Sequence, residues 1–129
     1  MELRAGARAE LSVVVEESDT AVSLGSGDVR VLATPRLLAL AEEATVQAIA
    51  LDESQTSVGT RVELTHVAAS PVGMRVAVAA ELVEVDGARL VFDFTAADAR
   101  GVVVGSGRVE RVVVDRGRFL ARLPRPERG

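Results

Sequence analysis

A glutamate in the middle of a predicted helix has the position expected of a buried catalytic group. At roughly 100° per residue, Glu42 falls within about 40° of Leu38, Val46 and Ile49. Its neighbour Glu43 falls on the side that is expected to face water. A carboxylate in a dry interior is costly unless it is paired, protonated or functional. The pattern therefore predicts that Glu42 is directed inward as a catalytic carboxylate or reaches out at the edge of the helix, and that Glu43 is a surface charge.

The only histidine of the chain, His66, lies on the apolar face of a predicted strand. Because side chains alternate along a strand, His66 shares its face with Leu64 and Val62, while Thr65 and Glu63 point the other way. The imidazole is then either a core histidine bonded to a backbone carbonyl or a general acid–base. An inward histidine and an inward glutamate in one small domain can supply a base and a nucleophile or electrostatic partner.

Two further residues have both a structural and a catalytic interpretation. Thr34 precedes Pro35, a pair typical of a helix start in which the hydroxyl caps the helix. The same helix end would offer backbone N–H groups and a positive dipole to a developing oxyanion. Gly59 either permits close approach of a ligand or simply begins a strand.

The elements that must position these residues are one long helix and a set of strands. Residues 8–15 alternate as a strand, and a helical period predicts a helix at about 35–51. The later strand segments are 58–67, 75–85, 89–97 and 102–114, and Asp86-Gly87 is a type I′ hairpin signal. This order predicts an α+β fold in which an antiparallel sheet wraps around one long central helix. The length of 129 residues indicates a single domain, 1–129.

Composition excludes several classes of function. The 19 acidic and 15 basic residues give a net charge of -4, which argues against a general nucleic-acid binder. The absence of cysteine excludes thiol nucleophiles and thiolate metal sites, and a single histidine excludes multi-histidine metal sites. No apolar run is long enough to cross a bilayer, and no secretion signal is visible, so the expected compartment is the cytoplasm. With aromatic residues at only 2%, the core must be built from Val, Leu and Ala.

The order of these residues resembles the hotdog-fold thioesterases, and most closely the fluoroacetyl-CoA thioesterase family. The matching segments are Val31-Leu32-Ala33-Thr34, Glu42-Glu43-Ala44, Ser57-Val58-Gly59-Thr60, Thr65-His66-Val67-Ala68-Ala69-Ser70-Pro71-Val72-Gly73, Glu81-Leu82, Gly105-Ser106-Gly107 and Glu110-Arg111. Together they cover nearly the whole chain.

The resemblance implies a role for each site residue. Thr34 would hydrogen-bond the catalytic carboxylate or the bound acyl group, and Glu42 would attack the thioester carbonyl or position a water. His66 would be the general acid–base. Gly59 would bind the thioester oxygen through its backbone N–H, and Arg111 would lie near the substrate end of the last strand.

The resemblance further implies an acyl-CoA thioesterase that acts on a small or medium acyl-CoA thioester without a metal or other cofactor, coenzyme A being part of the substrate. Members of the family are homodimers or dimers of dimers with each site between protomers. The segment before the helix, 23–28, lacks the aromatic residues expected of a lid over a very small acyl group. An open lid suits a larger or different acyl chain.

The C-terminal region is rich in arginine, and residues from about 118 to 129 are expected to form a loosely ordered tail. Its arginines either meet the phosphates of CoA or only solubilise the surface: Arg108, Arg111, Arg116, Arg118, Arg122 and Arg125.

The alternative function of the protein is a non-catalytic hotdog dimer that binds acyl-CoA or a related ligand. A hydratase on the same fold is disfavoured because the expected pairing of Asp and His near a helix start is not visible.

Overall fold

The computed structural model describes residues 3–126 and confirms the α+β architecture predicted from the sequence. In chain order the strands are β1 (Arg8–Val14), β2 (Gln55–His66), β3 (Arg75–Asp86), β4 (Arg89–Asp98) and β5 (Val103–Asp115). The helices are α1 (Ala21–Leu24), α2 (Thr34–Ala48) and α3 (Arg116–Ala121), and a 3-10 turn at Glu17–Asp19 precedes α1. The short helices α1 and α3 were not predicted from the sequence.

The five strands form one antiparallel sheet in the order β1-β3-β4-β5-β2, and α2 packs against one face of it. The buried stripe of the helix consists of Leu37, Leu40, Ala41, Ala44 and Thr45. Facing residues on the sheet include Val76, Val78, Leu82, Phe92, Phe94 and Val109. The core is therefore largely aliphatic, as the composition required, with two of the three phenylalanines at its centre.

Of the two alternatives predicted for Glu42, the structure shows the one at the edge of the helix. Glu42 lies at the margin of the buried stripe of α2, with its carboxylate against Gly59 of β2 and Arg111 of β5. Glu42 lies about 140° around the helix from Leu37, which is fully buried. Its side chain remains 39% exposed. The apolar neighbours found by the helical wheel form a second strip on the flank of the helix, where Val46 is 50% exposed. Glu43 is exposed and accepts a hydrogen bond from Gln47, as expected for a surface charge.

The helix begins one residue earlier than predicted, and this changes the role of Thr34. The N-cap is Ala33, which offers no side-chain cap, while Thr34 is the first helical residue and Pro35 lies within the first turn. Proline is tolerated there because the first amides of a helix have no partner within the helix. The Thr34 hydroxyl is therefore not a cap and is free for another contact.

The β3–β4 hairpin turns one residue later than the sequence signal suggested. Asp86 pairs with Arg89, so the two-residue loop is Gly87-Ala88 rather than Asp86-Gly87. Gly87 has φ of 61°, and no residue other than glycine has a positive φ in the part of the chain that the structure describes. A positive φ at the first loop position alone is the pattern of a type II′ turn, not the predicted type I′ turn.

Strand β2 lies at one edge of the sheet and bonds only to β5 within the described residues. A bulge at Thr60 shifts the register between Gly59 and Arg61, and bulges of this kind are frequent beside active sites. The outer edge of this strand of 12 residues has no strand partner within the described residues, although arginine side chains donate to the carbonyls of Gln55 and Ser57. Long edges of this kind are templates for pairing with another chain.

The C-terminal segment is partly helical. Asp115 caps α3 by accepting a hydrogen bond from the backbone N–H of Arg118. Residues 118–121, predicted to begin a loosely ordered tail, therefore belong to helix α3. The last residues of the predicted tail, 127–129, lie outside the described part of the chain. Among residues 3–126, none of the helices is both long and apolar enough to span a membrane.

Candidate active site

The first half of the site joins the start of α2 to the end of β2. Oγ1 of Thr34 lies 2.8 Å from Nδ1 of His66. His66 is half-buried, and its Nε2 is buried without a hydrogen-bond partner among residues 3–126. In the tautomer in which Nδ1–H donates to Thr34, Nε2 carries a free lone pair. The structure thus orients the only imidazole of the chain, with Nδ1 held by Thr34 and Nε2 left without a hydrogen bond in this part of the chain.

Burial affects the protonation of this histidine. Loss of solvent lowers the pKa of His66 below its ordinary value near 6.5, although the backbone of Ala68 acts in the opposite direction. Desolvation disfavours the charged imidazolium, so the neutral form dominates at pH 7. A neutral imidazole is the form that can act as a general base.

The second half of the site surrounds Glu42. Arg111 on β5 is buried, with 7% of its surface exposed. Its Nε donates to Oγ of Ser57 at 2.8 Å, and its Nη2 donates to the carbonyl of Ser57 at 3.0 Å. The remaining Nη1 lies 4.0 Å from Oε2 of Glu42. Burial lowers the pKa of Arg111, and the charge of Glu42 raises it. Because arginine stays protonated in proteins, Glu42 supplies the counter-charge that a buried guanidinium requires.

Gly59 completes this second cluster by leaving room for the carboxylate. It pairs with Arg111 in the β2–β5 register. A Cβ atom at Gly59 would lie 3.0 Å from Oε2 of Glu42 and 3.7 Å from Nη1 of Arg111. A side chain here would therefore push the carboxylate away from its place. The close approach that the sequence left open for Gly59 is real, and Glu42 is the group that approaches.

Ser57 is the residue of this cluster to which sequence reasoning assigned no role. It belongs to the quoted segment Ser57-Val58-Gly59-Thr60 and lies two residues before Gly59, so both face the same side of β2. That spacing is the signal that could have identified it. Its hydroxyl and its carbonyl together fix the plane of the Arg111 guanidinium.

The two halves of the site do not meet within one chain. Thr34 and Glu42 are separated by two turns of α2, roughly 12 Å along its axis. His66 ends β2 and Gly59 lies near its middle, seven residues earlier, roughly 20 Å away along the strand. No hydrogen bond or ion pair joins the two halves in the residues that the structure describes. Thr34 therefore contacts His66 and not the carboxylate of Glu42.

A cavity of about 320 Å³ adjoins the first half of the site. Thr34 and His66 form part of its wall, and most of the rest is small or aliphatic, including Ala21, Gly27, Val29, Val31 and Ala68. The segment that covers it, α1 and the loop after it, contains no aromatic side chain. No group of three or more His, Asp or Glu side chains within residues 3–126 has the arrangement of a metal site.

The chain is similar in sequence to proteins of one known family. The profile of the family described as fluoroacetyl-CoA-specific thioesterase, FlK, matches residues 15–117. A fluoroacetyl-CoA thioesterase from Streptantibioticus cattleyicolor is 42% identical over 96 residues, which are 72% of this chain and 68% of that protein.

Two solved structures extend the comparison to the fold. A variant of the fluoroacetyl-CoA thioesterase FlK in complex with acetyl-CoA is 35% identical with a TM-score of 0.85, over 92% of this chain and 95% of the other. A hypothetical protein from Thermus thermophilus, a member of the thioesterase superfamily, is 28% identical with a TM-score of 0.86, over 93% of this chain and 90% of the other. The chain is thus a member of the fluoroacetyl-CoA-specific thioesterase family and has its hotdog fold.

Proposed function

We propose that this protein hydrolyses an acyl-CoA thioester at a site built from Thr34, Glu42, Gly59, His66 and Arg111. Membership of a thioesterase family makes it a thioester hydrolase, and the assignment of the residues rests on their geometry. The observation that carries the assignment is the 2.8 Å contact between Thr34 and His66, which leaves Nε2 of the only imidazole without a partner. An oriented, neutral base is what general-base hydrolysis requires.

The proposed reaction consumes one water and releases a carboxylate, the CoA thiol and one proton. Glu42, held beside Arg111, attacks the carbonyl carbon or orients the water that attacks it. The negative charge that develops on the thioester oxygen is stabilised by the backbone N–H of Gly59 and by the N-terminal end of α2. When Glu42 orients the water, His66 accepts a proton from that water at Nε2 and gives it to the departing thiolate as the carbon–sulfur bond breaks. When Glu42 attacks directly, the thiolate leaves as an acyl–Glu42 anhydride forms and takes a proton from solvent, and His66 then accepts a proton from the water that hydrolyses the anhydride and regenerates the Glu42 carboxylate. No metal ion and no further cofactor take part.

The separation of the two halves supports a homodimer in which each site takes one half from each protomer. Glu42 lies on a partly exposed flank of α2 with exposed Val46 beside it. The adjoining strand β2 has an unpaired edge, which suits antiparallel pairing with the same strand of a second copy. Such pairing would bring the end of β2 that carries His66 towards the cluster of Glu42 in the partner. A homodimer is the smallest assembly that completes two sites, and a dimer of dimers would preserve them.

The acyl group is proposed to occupy the cavity beside Thr34 and His66. Apart from Ser26, Thr34 and His66, the residues that line it are small or aliphatic and none is aromatic, so a small or medium aliphatic acyl chain matches its chemistry. Because no aromatic ring narrows the cavity, the acyl group is not restricted to two carbons. We place the reaction in the cytoplasm.

The experiment that tests the proposed function is a screen of straight-chain acyl-CoA esters, from acetyl to octanoyl, together with fluoroacetyl-CoA. Release of CoA is followed with a thiol-detecting dye. Hydrolysis of at least one ester is expected, with the four- to six-carbon esters at or above the rate of acetyl-CoA. Calorimetric binding of the esters without release of thiol would instead establish the non-catalytic ligand-binding protein.

The rate of hydrolysis should depend on pH in a way set by His66. Since burial lowers the pKa of His66, the imidazole becomes protonated, and fails as a base, only at pH values below 6.5. The acid limb of kcat/KM is therefore expected below pH 6.5, with activity kept at neutral pH and lost as the pH falls through that limb. A profile from about pH 4.5 to 8.5 measures it. An acid limb above 6.5, or an unchanged limb in the His66→Gln variant, would contradict this assignment.

A further inference from the structure

The arginines from Arg8 to Arg125 divide into two groups according to whether their side chains have partners among the described residues. Between Arg8 and Arg116, every arginine side chain contacts a carboxylate, a hydroxyl or a carbonyl. The described arginines after Arg116 differ from these. Within the described residues 3–126, no side-chain hydrogen bond or ion pair is made by Arg118, Arg122 or Arg125. These charges are therefore available for an anion from outside the chain.

Two of the three unpartnered arginines line one cavity with an aromatic ring. The cavity of about 440 Å³ at the start of α3 is lined by Val114, Asp115, Arg118, Phe119, Arg122 and Leu123. Arg118 and Arg122 are four residues apart, so their side chains leave the same face of the helical segment. Arg125 does not line the cavity. The carboxylate of Asp115 is engaged by the backbone N–H of Arg118.

We propose that this cavity, which we call the α3 groove, binds the 3′-phosphoadenosine diphosphate end of the acyl-CoA substrate. The inference rests on the proposed function. Guanidinium groups recognise phosphate oxygens through paired N–H donors, and a ring such as that of Phe119 offers a face on which a base can stack. The chain as a whole carries a charge of -4, so a polyanionic cofactor moiety needs a local positive patch to bind.

The position of the α3 groove relative to the reacting group fits a CoA ester. Arg111, beside Glu42, and Asp115, in the groove, lie on the same strand β5. They are separated by roughly 13 Å along it. The pantetheine arm, an extended chain with two amide units, separates the thioester from the phosphates in CoA. Strand β5 would therefore carry the phosphate end of the substrate in the α3 groove and direct the arm towards the cluster of Glu42, Gly59 and Arg111.

The test compares two thioesters of the same acid, one with CoA and one with N-acetylcysteamine, which lacks the nucleotide and the phosphates. In the double variant Arg118→Ala/Arg122→Ala, KM for the CoA ester is expected to rise about tenfold or more with kcat within about twofold. KM for the N-acetylcysteamine ester should not change. The matched control is Arg125→Ala, which removes an equally unpartnered charge outside the groove and should alter neither KM.

A binding measurement separates this inference from the proposed function. Calorimetry with 3′,5′-ADP is expected to show binding to the wild type and a loss of about tenfold or more in the double variant. The inference is overturned if the double variant leaves KM for the CoA ester unchanged, or if Arg125→Ala has the same effect. If the wild type hydrolysed neither thioester, the proposed function would be wrong. The inference about the α3 groove would still be tested, because binding of 3′,5′-ADP does not depend on hydrolysis.

Discussion

The Glu42→Gln variant is expected to lose about a thousandfold in kcat/KM for the best acyl-CoA ester, a rise of roughly 4 kcal/mol in the barrier. The amide has nearly the same volume as the carboxylate but neither attacks a carbonyl nor orients a water as a base. It also removes the charge that faces Nη1 of Arg111 at 4.0 Å. The measurement is steady-state release of CoA at saturating and subsaturating ester.

The adjacent residue provides the matched control. Glu43 lies on the same helix, is exposed, and its side chain contacts only Gln47 among the described residues. Glu43→Gln is expected to keep kcat/KM within about twofold, because an exposed carboxylate remote from the site contributes little. Thermal unfolding of both variants reports whether removal of the counter-charge of Arg111 destabilises the fold. Equal losses in the two variants, or full activity of Glu42→Gln, would remove Glu42 from the mechanism.

Mixing two inactive variants is expected to restore activity if each site draws on two protomers. Glu42→Ala and His66→Ala would each be inactive as homodimers. After co-expression and random reassortment, half of the dimers are mixed, and each mixed dimer carries one intact site of two, so recovery approaches roughly a quarter of wild-type activity. The physical reason is the separation of the half containing Thr34 and His66 from the half containing Glu42 and Arg111.

The control for this experiment combines two residues of the same half. Thr34 and His66 are 2.8 Å apart in one chain, so a Thr34→Ala protomer cannot complement a His66→Ala protomer. That mixture should show no recovery beyond the residual activity of Thr34→Ala. Absence of recovery in the first mixture, with mixed dimers demonstrated by two affinity tags, would place Glu42 and His66 of each site on one chain.

The sequence alone predicted the elements and their order well because those signals are local. The helical period of Leu37, Leu38, Ala41, Ala48 and Ile49 and the alternation along β3 depend only on neighbouring residues. The predictions that failed concern residues whose surroundings are set by elements far away in the sequence. The helical wheel placed Glu42 among apolar residues, yet it could not show which apolar strip of α2 the sheet covers. Glu42 lies at the margin of the covered strip, where its carboxylate meets Gly59 and Arg111.

Contacts between residues of separate elements likewise could not be predicted from the sequence. The cap interpretation of Thr34 was reasonable for a residue before Pro35, but the fold brings His66 to its hydroxyl from the end of β2. The sequence assigned no role to Ser57 because a serine in a strand has no distinctive pattern of its own. Its importance arises only when the β2–β5 register sets Gly59 opposite Arg111.

By itself, the sequence determined that oxygen and a single imidazole must carry any acid–base chemistry, because cysteine is absent and His66 is alone. It also determined the aliphatic core and the one long helix, since periodicity and composition are properties of the chain. The tertiary structure decided that Thr34 pairs with His66, that Glu42 faces a buried Arg111, and that the two pairs lie apart. Distances between residues far apart in sequence depend on sheet register and helix packing, and these exist only after the chain has folded.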